Sequence, residues 1–233
     1  MIKFENISKS FSGLKALDDI NLILKPKTFN LLVGPNASGK STLIKSILGL
    51  VNVNGNLSVE NKNIRNTFEY RNKIGYMPQS FSFPANLTVN EILELVKSLR
   101  SNKIYDEEIL YKFQIDKIGS KKLINLSGGT KQKVNAAIAF LFDPEILILD
   151  EPTAGLDMIS SNILKEKLIG ENQKGKTILV TSHVFSEFES IAENIILLSE
   201  GKLNHFGLIK DLLNLTNETK LEKALAKWIK MKN

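Results

Sequence analysis

The apolar positions of the chain follow two rhythms. Four runs are nearly continuous in Ile, Leu and Val: "FNLLVG" at 29–34, "EILILDEP" at 145–152, "KTILVTSH" at 176–183 and "NIILLSEG" at 194–201. Strands that are apolar on both faces are covered on both sides, so these runs predict buried, mostly parallel strands. After the first comes a Gly-rich turn, then "KSTLIKSILGL", a helix that sets Leu43, Ile47 and Leu50 on one face. The runs "IKFENISKSF", "NLILK" and "NGNLSVENKNI" alternate only in part and predict short strands of a small antiparallel sheet. "LTVNEILELVKSLR" predicts a helix opened by the capping box Thr88-x-x-Glu91. The stretch 84–142 reads as helical throughout, and is expected as a helical subdomain inserted in an α/β core within one domain, 1–233. The tail, 210–233, ends in an amphipathic pattern with Leu221, Leu225, Trp228 and Ile229 on one face and lysines elsewhere. It is expected to pack on its own domain, with a membrane-surface contact as the alternative.

Composition narrows the function classes. The 233 residues contain no cysteine, which excludes a disulfide framework and a thiolate metal site. No apolar run approaches the ~18–20 residues needed to span a bilayer, and "MIKFENISKSF" lacks the apolar centre of a signal peptide. The expected location is therefore cytoplasmic, with any work at a membrane done through a partner. The net charge of +6 is spread along the chain rather than blocked, which reads as a solvated surface. There is no RGG tract or aromatic-basic RNA motif, so no nucleic-acid partner is expected.

Specific chemistry enters at "GPNASGKS", Gly34 to Ser41, which matches G-x-x-x-x-G-K-[ST] in full between a strand and a helix. Glycines let the backbone curl around phosphate oxygens, and the helix N-terminus offers N–H groups and partial positive charge. Lys40 is placed to reach terminal phosphates and the Ser41 hydroxyl to ligate Mg²⁺. Asp150 ends an apolar strand, where it can hold Mg²⁺ through water, and Glu151 follows in the place of a residue that polarises an attacking water. His183 comes off a further strand end, while His205 reads as structural. A second anion-binding element, "LSGGTKQK" at 126–133, sets a Ser-Gly-Gly turn before a helix-forming stretch.

These residues together resemble the ATP-binding subunit of ABC transporters, over nearly the whole chain. "GPNASGKST" resembles the family's Walker A, "ILILDE" its Walker B, "LSGG" its signature, "YMPQ" its Q-loop, "EPTAGLD" its D-loop and "TSH" its switch histidine. The resemblance implies a P-loop NTPase fold, α/β with a mostly parallel sheet, a small antiparallel β-subdomain and the inserted helical subdomain. It implies ATP and Mg²⁺ as nucleotide and metal. Nucleotide contacts would come from Phe11 (stacking on adenine), Gly34, Pro35, Asn36, Ala37, Ser38, Gly39, Lys40, Ser41, Thr42, Ser127, Gly128, Gly129 and Asp157. Metal contacts would come from Ser41, Gln79 and Asp150, and catalysis from Glu151, His183, Lys40 and Gln79. In the family the signature loop serves the ATP of a second copy docked head to tail. That answers why one chain carries two anion loops, and it implies a homodimer on a multi-span membrane permease at the cytoplasmic face. Thr130 stands where glutamine is commonest, Lys133 where arginine is usual, and Met158 where proline often follows the D-loop aspartate.

Two longer runs, "YRNKIGYMPQSFSFPANLTVNEIL" and "LSGGTKQKVNAAIAFLFDPEILILDEPTAGLDMISSNILK", are similar to the ATPase subunit of the transporter that helps mature the copper centres of nitrous-oxide reductase. That likeness implies a denitrifying bacterium, a sulfur or copper-related cargo, and a periplasmic maturation or cargo-binding protein as a further partner. The alternative is the ATPase subunit of another exporter, of lipids, polysaccharides or antibiotics. ABC ATPases acting on DNA or ribosomes would need a long coiled coil, zinc cysteines or two ATP-binding halves, and the sequence has none of these.

Overall fold

The computed structural model describes residues 1–80, 83–100 and 104–232. The parts of the expected helical stretch at 101–103 and of the tail at 233 lie outside the described residues. In chain order the elements are β1 (Ile2–Phe11), β2 (Leu14–Leu24), β3 (Phe29–Val33), α1 (Lys40–Ile47), β4 (Asn54–Val59), β5 (Lys62–Asn63), β6 (Ile74–Met77), α2 (Val89–Ser98), α3 (Glu108–Lys112), α4 (Gly128–Phe140), β7 (Ile146–Asp150), α5 (Met158–Gln173), β8 (Thr177–Thr181), β9 (Asn194–Ser199), β10 (Lys202–Leu208), α6 (Ile209–Thr216) and α7 (Leu221–Lys232). They form two compact units, Met1–Arg71 with Thr177–Asn233, and Asn72–Lys176.

In the first unit the weakly alternating runs form an antiparallel sheet ordered β2-β1-β4-β5. Beside it the strands run β10-β9-β3-β8, with β3 parallel to both β8 and β9 and β10 antiparallel to β9. Every residue of β3 and β8 is buried, as near-continuous apolar runs require. Polar atoms inside this layer are paired. The Asn30 amide donates to the carbonyls of Thr28 and Ile178, and its oxygen accepts from Asn194. The expected helix after the Gly-rich turn is shorter than its apolar pattern. It ends at Ile47, Gly49 turns into the left-handed region at φ 63°, and Leu50, expected on the buried face, is 61% exposed. The tail packs on its own unit: Leu221, Ala224, Leu225 and Trp228 are buried, and the His205 ring meets Trp228 edge-on at 5.0 Å. Ile229, also expected on that face, is 41% exposed.

In the second unit β6 runs parallel to β7. The helix α2 opens with both bonds of the capping box: the Glu91 N–H donates to the Thr88 hydroxyl, and the Thr88 N–H donates to the Glu91 carboxylate at 2.7 Å. The segments 115–118 and 123–125 are 3₁₀ turns that carry the chain into α4.

A buried ionic cluster fastens α5 to α3. The Lys167 ammonium, almost fully buried, lies 2.5 Å from Asp106, 2.7 Å from Glu108 and 3.0 Å from Glu171. Glu171 is fully buried and also holds Lys174 at 2.8 Å and Lys176. Three carboxylates converge here, Asp106, Asp143 and Glu171, and lysine ammoniums pair with each of them. Burial opposes ionisation of Glu171, but hydrogen bonds from Lys174, Lys176 and Lys167 overcome it and hold the carboxyl at about 2, below its ordinary 4.5. A depressed carboxyl stabilises the fold above its unfolded pKa, and that stabilisation is lost as pH falls from about 4.5 toward 2. Glu171→Gln removes the carboxylate that three lysines share, while Lys167 keeps Asp106 and Glu108 and Lys176 keeps Asp143, so it is expected to cost about 1–3 kcal/mol at neutral pH. Denaturant titrations should show this deficit shrinking below pH 4.5, where the wild type loses the same contribution.

Candidate functional site

The first unit carries the Gly34–Thr42 loop. Its conformation depends on two glycines. A Cβ on Gly34, at φ 154°, would lie 2.1 Å from the Leu198 carbonyl oxygen, and one on Gly39, at φ 105°, would lie 2.4 Å from the Ala16 carbonyl oxygen. Between them Ala37 is left-handed at φ 62°, and the Ser38 N–H turns back to the Pro35 carbonyl. The turn is clamped from below, where the Gly201 N–H donates to the Ser38 carbonyl at 3.1 Å. Lys40 is buried, and its ammonium spans the loop to the carbonyls of Gly34 at 2.7 Å and Pro35 at 2.9 Å. Gly39 supplies no side-chain cap to α1, so the first turn of that helix presents its N–H groups toward the loop. Asn36 and Ser41 are exposed and Thr42 is half-buried.

Phe11 ends β1 with its ring 46% exposed and the Lys9 ammonium 5.0 Å from its centre. His183 is exposed two residues past the end of β8. The turn that presents it is held by Ser182, whose hydroxyl accepts from the Val184 N–H at 3.0 Å.

The second unit carries the remaining predicted residues. Asp150 and Glu151 are buried at the end of β7. Glu151 sits in the left-handed region at φ 54°, a strained conformation for a residue with a Cβ. On the neighbouring strand the Tyr76 phenol is pushed up to about 12, first by burial and then by the negative charge of Asp150. Gln79 is exposed two residues beyond β6.

Ser127 caps α4. Its hydroxyl accepts from the Thr130 N–H at 3.2 Å and lies 2.8 Å from the Thr130 hydroxyl. Thr130 thus completes the cap. Ser127 and Gly128 are exposed, and a Cβ on Gly128 would meet nothing within 4 Å. Gly129 is closer to its surroundings, with the Gly155 carbonyl 2.6 Å from where its Cβ would be. Asp157 caps α5 through the Ser160 N–H at 2.8 Å and accepts the Lys133 ammonium at 3.0 Å. The Ser160 backbone bond first, then Lys133, holds the Asp157 carboxyl far below the usual carboxylate range. The link from Lys133 to Asp157 was not legible in the sequence, because 24 residues separate the partners and neither lies in a periodic pattern.

The family model described as "ABC transporter" matches residues 17–154, more than half of the chain. The chain is an ABC ATPase. It is 32% identical over 218 residues to the "Uncharacterized ABC transporter ATP-binding protein YhaQ" of Bacillus subtilis (strain 168), covering 91% of this chain and 72% of that one. Among solved structures it is similar to "Dimeric Structure of MJ0796, a Bacterial ABC Transporter Cassette", with 28% identity, TM-score 0.80, and coverage of 89% of this chain and 98% of that one. The same cassette in "a post-hydrolysis state" bound to ADP and Pi matches with 28% identity and TM-score 0.81 over the same shares.

This ABC ATPase is the ATP-binding subunit of a transporter, and its reaction is ATP hydrolysis with Mg²⁺. Its loop fits the nucleotide on its own geometry. The Ser38 hydroxyl is buried with no protein hydrogen-bond partner. The loop follows a path closed to any Cβ at Gly34 and Gly39, and a buried ammonium crosses it. Polyphosphate oxygens suit all three features. A methyl at Gly39 combines overlap with the Ala16 carbonyl and a backbone strain of about 1–3 kcal/mol. Gly39→Ala is therefore expected to weaken ATP binding at least tenfold by equilibrium titration, with the fold retained by circular dichroism.

Proposed function

We propose that the protein hydrolyses ATP as a head-to-tail pair and thereby powers a multi-span permease at the cytoplasmic face of a membrane. One observation carries this reading. Ser127 caps the N-terminus of α4 with Ser127 and Gly128 exposed, an arrangement that suits an anion, and this loop belongs to a different unit from the Lys40 loop. An exposed element of this kind suits a phosphate brought by another copy, and the MJ0796 cassette is described as dimeric.

Roles then follow from the chemistry of each group. Lys40 and the N–H groups from Gly34 to Thr42 hold the terminal phosphates, and Phe11 offers its open face to adenine. Ser41, Asp150 and Gln79 would hold Mg²⁺, which when bound neutralises charge on the phosphoryl oxygens. Glu151, left-handed just past the end of β7, accepts the proton of the attacking water. His183 steadies the γ-phosphate. Ser127, Gly128 and Gly129 of one copy reach the γ-phosphate held by the other, and Asp157 supports that contact by fixing the start of α5. No helix among the described residues is long and apolar enough to cross a membrane.

For the cargo, we favour the copper or sulfur transport that serves nitrous-oxide reductase maturation, on the strength of the two long runs at 70–93 and 126–165. A permease gene and a periplasmic copper-protein maturation gene beside this one would support that assignment, and their replacement by a lipid or antibiotic locus would overturn it.

Three measurements test the general reading. Glu151→Gln should bind ATP as the wild type does, turn over at least ~100-fold more slowly, and elute as a dimer with ATP. Lys40→Ala should lose ATP affinity, and unchanged affinity would remove the phosphate role of the loop. Specific activity of the wild type should fall on dilution below the dimerisation constant, whereas a constant value would sink the shared-site arrangement.

A further inference from the structure

The helix α4 does more than present the Ser127–Gly129 loop. Seven of its residues are buried, including two polar ones, Gln132 and Asn135. Asn135 is 1% exposed, in the middle of the apolar run "VNAAIAF". An amide there requires partners. One N–H direction is used by Gln132, whose oxygen lies 3.4 Å from Asn135 Nδ2. The stronger bond goes elsewhere: Asn135 Nδ2 donates to the Pro78 carbonyl at 2.8 Å.

Pro78 stands where the chain leaves β6. The β6–β7 ladder ends at the Met77–Leu149 pair, so Pro78 is the first residue beyond it, and Gln79 is the next. A proline has no N–H, and its carbonyl is the only backbone handle by which that exit can be held. A second contact lies one helical turn along the same face of α4. A Cβ on Gly75 would lie 2.1 Å from the Ala139 carbonyl oxygen, so β6 and α4 touch backbone to backbone there. The strand that leads to Gln79 is thus pinned twice to the helix that begins at Ser127.

We propose that Asn135 is a positioning residue: its hydrogen bond to Pro78 sets where Gln79 stands relative to α4, so that the Gln79 loop and the Ser127–Gly129 loop are placed as one piece. Asn135 is buried, 1% exposed. It acts through the backbone of the residue before Gln79, and the proposal rests on the reading of Gln79 as a residue that serves the metal and the attacking water.

The test uses the full chain and steady-state ATP hydrolysis at varied ATP and Mg²⁺. Asn135→Asp keeps the size and removes the donor, and Asn135→Ala removes the side chain. Both are expected to lose kcat by roughly 10- to 100-fold, the scale of a misplacement of about an ångström. The KM for ATP should stay within about twofold, since uniform binding is untouched. Asn135→Ala combined with Gln79→Ala should be no slower than Gln79→Ala alone, because both changes act on one contact. Wild-type kcat in a folded Asn135→Asp protein would overturn the proposal while leaving Gln79 in place. So would losses that multiply in the double variant, or activity that returns fully on cooling below a lowered unfolding transition. Wild-type kcat in Gln79→Ala would overturn the reading of Gln79 and this proposal with it.

Discussion

A phosphate-binding turn has to leave backbone N–H groups aimed at the anion while the chain is pressed against its own carbonyls. That close approach is the constraint on which the first unit is built. Gly34 is squeezed by Leu198 of β9 and Gly39 by Ala16 of β2, and the Gly201 turn between β9 and β10 closes the underside of Ser38. The antiparallel sheet therefore sets the loop's shape as much as the buried strand β3 does. Any change that moved β2 by an ångström would reach Lys40 through Gly39 before it reached a ligand.

The second unit meets a related constraint with a different device. Its proposed anion element is a helix end, and a helix end is only as well placed as the helix. Three side chains fix α4 near its start: Ser127 caps it, Lys133 ties it to Asp157, and Asn135 ties it to Pro78. Asp157 is in turn the cap of α5, whose far end is locked by the Lys167–Glu171 cluster. The strained Glu151 backbone, at an expected cost of about 1–3 kcal/mol, sits between these fastened elements, where surrounding structure can hold it.

Much of this was legible from residues alone. The four apolar runs are strands, the Gly-rich turn lies between strand and helix, and the capping box at Thr88 forms both its bonds. Local chemistry decides those features, so local sequence reveals them. The misses have physical reasons as well. The strand β6 has only four residues with a glycine among them, and β10 is half-exposed along its length, so neither shows a clear period. Leu50 and Ile229 keep the helical period but fall at ends, where a left-handed glycine or the last turn removes them from the core. The ties from Lys133 and Asn135 join positions 24 and 57 residues apart, and no pattern within either segment encodes such a pair. A polar residue inside the apolar run "VNAAIAF" was the signal available for Asn135.

The two loops also differ in burial, and the difference bears on how the proposed shared site could work. Ser38, Gly39 and Lys40 are buried, in a loop held by its own backbone and by the Gly201 turn. Ser127 and Gly128 are exposed, and among the described residues nothing lies within 4 Å of where a Cβ on Gly128 would be. In the proposed pair, an exposed helix end could gain and lose a partner's phosphate without disturbing the packing behind it, because α4 is fastened by Lys133 and Asn135. In a head-to-tail pair the energy difference between the closed and open states would then reside in the γ-phosphate contact itself, and removal of that phosphate would shift the population toward the open pair. The threonine at 130 fits this division, since its hydroxyl and N–H both turn inward to Ser127 and hold the helix end in shape.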